Sequence, residues 1–110
     1  MKVYISAPIT GQPNGNKEAF AEAERKLTEL GIEVVNPHKI CANIPEGSDW
    51  EDYMYVCLPA LQGCDALYIL EGFEPSYGVK TERVFAKINE MFIIYTIGEV
   101  EFIYRTISGT

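Results

Sequence analysis

Apolar residues along this chain follow two rhythms in turn. Residues 2–6 are a run of β-branched and aromatic side chains closed by Ala7-Pro8, which predicts a short strand. Phe20, Ala23, Leu27 and Leu30 then recur at helical spacing, behind Asn16 as a candidate N-cap and ahead of Gly31 as a stop. Residues 32–35 return to strand and end at Asn36-Pro37. Such a strand–helix–strand unit crosses over right-handedly and lays its two strands parallel.

Residues 38–48 follow neither rhythm and read as a loop, long enough to carry function. A second helix is predicted over 49–62, with Met54, Leu58 and Leu61 on one face. Pro59 inside it predicts a kink or a break, because an interior proline forfeits a hydrogen bond and clashes with the preceding turn. Residues 66–70 (ALYIL) are nearly all apolar, as suits a central strand covered on both faces. A loop over 71–77 leads to a third helix over 78–89, with Val79, Val84 or Phe85, and Ile88 inward. Residues 92–95 read as a fourth strand, and 99–104 as a fifth strand or an interface segment. The alternation predicts an α/β three-layer sandwich, flavodoxin- or Rossmann-like, with a mainly parallel sheet of four to five strands. Ligands of such folds sit beyond the carboxyl ends of the strands, near the point where strand order reverses. The segments to inspect are therefore 6–15, 36–50 and 71–82.

Composition narrows the partner. A length of 110 residues predicts one domain over 1–110. The net charge of −7 argues against a nucleic-acid polymer, which is held mainly by Lys and Arg. A small anion remains compatible, since N–H groups at a helix start can hold phosphate without net positive charge. Cys41, Cys57 and Cys64 are odd in number and lack paired spacing, so they read as reduced thiols. A single histidine, His38, with no C-x-x-C pattern offers no metal site, and no cofactor is expected. Nothing resembles a signal peptide or a membrane span, so the expected location is cytoplasmic, with no membrane partner.

The three loops hold the chemistry. Ser76-Tyr77-Gly78 opens the third helix and Glu82 lies one turn inside it. Ser76 and Gly78 there either hold a phosphate or sugar hydroxyl, or simply begin the helix with Glu82 complementing its dipole. The first loop contributes Tyr4, Ser6, Thr10 and Gly11, the glycine permitting close approach of backbone to ligand. The second contributes Asn36, Trp50, Asp52 and Tyr53; Trp50 either stacks a base or packs its helix onto the core.

Taken in order, Tyr4-Ile5-Ser6-Ala7-Pro8-Ile9-Thr10-Gly11, Ala19-Phe20, Val35-Asn36-Pro37, Trp50, Asp52-Tyr53-Met54, Leu61, Cys64-Asp65, Ser76-Tyr77-Gly78 and Glu82 form a recognisable set. Over about the first 95 residues the chain resembles a phage and bacterial branch, of unknown function, of the nucleoside 2-deoxyribosyltransferase-like superfamily. The resemblance implies a nucleoside or nucleotide ligand, with Glu82 as the nucleophile at the anomeric carbon and Tyr4 positioning it. Ser76 stands where relatives that hydrolyse deoxynucleoside monophosphates place a phosphate-binding serine. Two positions depart from the pattern: Cys57 replaces the aspartate that contacts and protonates the base, and Thr10 replaces a phosphate-binding arginine. Around an ideal helix Asp52 lies roughly 140° and Asp49 about 80° from Cys57, so neither is well placed as a substitute acid, Asp49 less badly. The departures keep a second expectation open, a non-catalytic nucleotide-binding or sequestering module, and beyond it a structural protein with a vestigial pocket. The resemblance also implies a homodimer or higher homo-oligomer; the apolar stretch 91–95 with Phe102, Ile103 and Tyr104 is compatible with such an interface and equally with core strands.

Overall fold

The computed structural model describes residues 1–45 and 47–109, the side chain of Trp50 excepted. Among them, β1 (Lys2–Ser6), β2 (Glu33–Val35), β3 (Ala66–Ile69) and β4 (Phe92–Ile94) form one sheet in the order β2-β1-β3-β4. Every pairing is parallel, with Tyr4 of β1 opposite Val35 on one side and Leu67 on the other. Helices α1 (Lys17–Glu29), α2 (Pro37–Ile40), α3 (Trp50–Gln62), α4 (Tyr77–Ile88) and α5 (Ile97–Ser108) complete the chain.

Side chains alternate across a strand, and β1 uses both directions. Val3 and Ile5 pack among Phe20, Ala23 and Leu27 of α1 and Val100 of α5. Tyr4 points the opposite way, to Cys57 and Leu61 of α3 and Ala86 of α4. Both faces of the central strands are thus covered, and the three layers expected from the sequence are present. Because β1 runs to β2 on one side while β3 lies on the other, the loops after β1 and β3 diverge. That divergence opens a crevice at the carboxyl edge.

Five local expectations need correction. Residues 99–104 belong to helix α5, so among the described residues the sheet has four strands, the lower of the two numbers expected. The Thr96 hydroxyl accepts from the Glu99 amide at 3.1 Å, and Ile97, Val100, Ile103 and Tyr104 then recur at helical spacing against the core. The segment 38–48 is not loop throughout, since α2 starts at Pro37, where a missing N–H costs nothing. Helix α3 runs through Pro59 without a break. The carbonyl that loses its helical partner there belongs to Tyr55, a residue on the exposed side of the helix. In α4 Val79 is buried and Phe85 packs against the core, as expected, but Val84 and Ile88 are exposed and the buried face also carries Glu82 and Ala86. A stripe drawn from apolar residues alone misplaces this helix, because its buried face carries a carboxylate.

The fifth concerns how Asn16 caps α1. It occupies the N-cap position as expected, but in a left-handed conformation and with no capping bond from its side chain. Its amide donates instead to the Pro8 carbonyl at 2.6 Å, tying the first loop back on itself. Asn14, Gly15 and Asn16 are all left-handed, a run that asparagine and glycine tolerate best. The described helices include none long and apolar enough to cross a membrane.

Candidate active site

A cavity of about 590 Å³ occupies the carboxyl edge of β1 and β3. Ser6 and Thr10 reach it from the end of β1, Ser76 and Gly78 from the start of α4, and Met54 and Cys57 from α3. Its size is that of a small-molecule pocket, and its walls are mainly apolar.

Glu82 lies in this wall and is only 6% exposed. One carboxylate oxygen accepts from the Tyr4 hydroxyl, and the other accepts from the Ser6 hydroxyl at 2.8 Å. Tyr4 and Ser6 stand two positions apart on β1 and so face the same side of the sheet, toward α4. Burial pushes the Glu82 carboxyl up to about 7, while the bonds from Tyr4 and Ser6 pull it down. Burial, with Glu82 alongside, holds the Tyr4 phenol far above its ordinary range, so this hydroxyl is a neutral donor at any physiological pH.

The Tyr4 hydroxyl also meets Cys57, whose thiol burial pushes up to about 12. Cys57 in turn lies with its sulfur 3.4 Å from that of Cys41, another thiol raised by burial. A polar thread therefore runs Cys41–Cys57–Tyr4–Glu82–Ser6 along the pocket floor. At neutral pH it holds two thiols, a phenol and a carboxyl poised to titrate.

Of the residues singled out from the sequence, Tyr4, Ser6, Thr10, Cys57, Ser76, Gly78 and Glu82 converge on this cavity. Gly11 does not line it; this exposed turn residue has a φ of 80°, which accounts for the glycine by itself. Asn36 is also elsewhere. Its side-chain oxygen accepts from the His38 amide, and its nitrogen donates to Glu24 at 3.1 Å, so its polar atoms serve α1 and α2. The side chain of Trp50 lies outside the described residues. Asp49 and Asp52 are exposed and bind each other's backbone in a capping box at the start of α3, so neither stands in for an acid at Cys57. Ser76 accepts from the Val79 amide at 3.2 Å and borders the cavity as well. Capping and a place at the pocket rim coexist in this residue.

Two contributors carry no signal in the sequence. Cys41 reaches the pocket from the end of α2, and its distance along the chain from Cys57 matches no motif. His38 holds the first loop in place, with its Nε2 at 2.7 Å from the Gly15 carbonyl and its ring edge-on to Phe20. Among the described residues no cluster of three or more His, Cys, Asp or Glu is arranged to hold a metal.

The sheet order and the crevice above β1 and β3 define an open parallel α/β fold with a ligand-sized cleft at its carboxyl edge. Solved structures share it. A 2-deoxyribosyltransferase from Bacillus psychrosaccharolyticus superposes with a TM-score of 0.69 at 19% identity, covering 86% of this chain and 71% of that one. The CMP N-glycosidase of Clostridium botulinum gives a TM-score of 0.61 at 21% identity, covering 86% of this chain and 70% of that one. No curated protein sequence matches the chain. By sequence the chain belongs to the family described as a domain of unknown function, DUF4406, whose profile matches residues 1–95.

Proposed function

We propose that this protein breaks the N-glycosidic bond of a nucleoside or nucleoside 5′-monophosphate, with Glu82 as the nucleophile. One observation carries the reading: a buried carboxylate, held by two hydroxyl donors from one strand, in the wall of a nucleoside-sized cavity. Tyr4 and Ser6 fix the carboxylate and leave it lone pairs for attack. A Glu82 oxygen attacks C1′, the C1′–N bond breaks, and its electron pair leaves with the base. Water, or a second base, then displaces Glu82 from C1′ to complete hydrolysis or transfer, as in retaining glycosidases. Ser76 and the amides at the start of α4 suit a sugar hydroxyl or a 5′-phosphate. The names of the two structural neighbours, a deoxyribosyltransferase and a CMP N-glycosidase, support the same chemistry.

The test is incubation of purified protein with ribo- and deoxynucleosides and their monophosphates, with free base resolved by chromatography. Base release by the intact chain and none by Glu82→Ala is the expected result. Cys57 favours a second reading, a binding module without turnover, because a thiol raised to about 12 is a poor acid near neutral pH. That reading predicts a melting-temperature shift with nucleotide recovered unchanged.

A further inference from the structure

The pocket contains an attacking carboxylate but, among the described residues that line it, no second carboxyl and no cationic side chain. A departing neutral base needs a proton, and a positioned acid is worth about 10²–10⁴-fold in rate. At the place nearest Tyr4 on α3 stands the Cys57 thiol instead, with the Cys41 thiol behind it. A base that already carries positive charge needs no proton, because it departs neutral when it takes the electron pair of the C1′–N bond. The surroundings also suit a cation. Glu82 lies in the wall, Tyr53 and Tyr77 are among the residues that line the same cavity, and the whole chain carries a net charge of −7. Aromatic rings and an acidic chain attract cations and give a neutral base no comparable advantage.

We propose that the preferred substrates are nucleosides or nucleotides whose base is cationic, namely N-glycosyl pyridinium compounds and N7-alkylated purines. This rests on the glycosidic reading above and adds the substrate class. Glu82 forms an ester at C1′ as the base leaves uncharged. Water then attacks C1′, the ester bond breaks, Glu82 regains its carboxylate and the surplus proton passes to solvent. One cationic nucleoside and one water thus give the sugar, the neutral base and one proton.

The experiment compares matched pairs, 7-methylguanosine against guanosine and nicotinamide riboside against cytidine, each also as its 5′-monophosphate. Each rate is divided by the spontaneous rate at the same pH. The expected result is an acceleration at least about 100-fold larger for the cationic partner, abolished in folded Glu82→Gln. With nicotinamide riboside, whose positive charge does not titrate in this range, the pH profile should rise through about 7 to a plateau as Glu82 ionises. Equal or greater acceleration of the neutral partner, with Glu82→Gln inactive, overturns the substrate class and leaves the glycosidic function standing. No base release from any compound overturns both.

Discussion

The hydroxyl of Tyr4 donates to the carboxylate of Glu82, joining residues 78 positions apart in the chain inside a buried contact. Ser6, two residues along the same strand, holds the other oxygen. One face of β1 therefore orients both oxygens of a carboxylate delivered by α4. Four predictions follow from this arrangement and the fold around it.

The first concerns stability and pH. Folding raises the Glu82 carboxyl from an ordinary value of about 4.3 to about 7. In that window the folded protein keeps a proton that the unfolded chain has released. Stability is therefore greatest below the window, falls as pH rises through it, and levels off above about 7. Urea unfolding should show a loss of about 2 kcal/mol between pH 5.5 and 8. Glu82→Gln should flatten this slope; an identical slope in the variant would place the titrating group elsewhere.

Tyr4→Phe removes one of the two donors to Glu82 while keeping the ring packed among Val35, Cys57 and Leu67. A hydrogen bond to a charged group is worth about 1.5–3 kcal/mol, so ionised Glu82 loses that support. The carboxyl should move upward by about one to two pH units, read by following its titration with carbon-detected NMR. Base release, measured as kcat against pH, should shift its rising limb by the same amount.

The sulfurs of Cys41 and Cys57 are 3.4 Å apart, and a disulfide requires about 2.05 Å. Only a small closure of α2 onto α3 separates the two states. Treatment with an excess of a small-molecule disulfide should join them, each released small thiol accounting for one protein sulfur. Because burial raises both thiols, the reaction should be slow at neutral pH and accelerate above pH 9. Peptide mapping by mass spectrometry would reveal the link, and a link to Cys64 instead would contradict the geometry.

Helix α5 depends on a local signal. Thr96 caps it through the Glu99 amide and also donates to the Glu99 carboxylate at 3.0 Å. Thr96→Ala should cost about 1 kcal/mol in chemical denaturation. Val100→Ala, in the fully buried contact of α5 with the sheet, should cost about 1–3 kcal/mol through lost packing. Equal, near-zero losses would mean α5 contributes little to the fold.

The candidate interface read from the sequence divides between core and surface. Ile103 and Tyr104 pack onto the core, whereas Phe102 and Phe92 are exposed. An apolar run near a chain end therefore does not by itself distinguish a core helix from an association surface. The 99–104 segment shows the same ambiguity: short apolar runs fit strand and helix alike, and here the cap at Thr96 decides for helix.

By itself, the amino-acid order determined the alternation of strands and helices, the central place of β3, and the three loops that gather at one edge. Those features follow from local periodicity and from glycine and proline, which act within a few residues. Tertiary structure alone decided that Glu82 turns inward, that Ser6 grips it rather than standing free, that Asn36 serves α1 and α2, and that Cys41 stands beside Cys57. Each of these depends on segments far apart in the chain meeting at fixed angles, and a buried carboxylate is tolerated only where donors from another strand satisfy it.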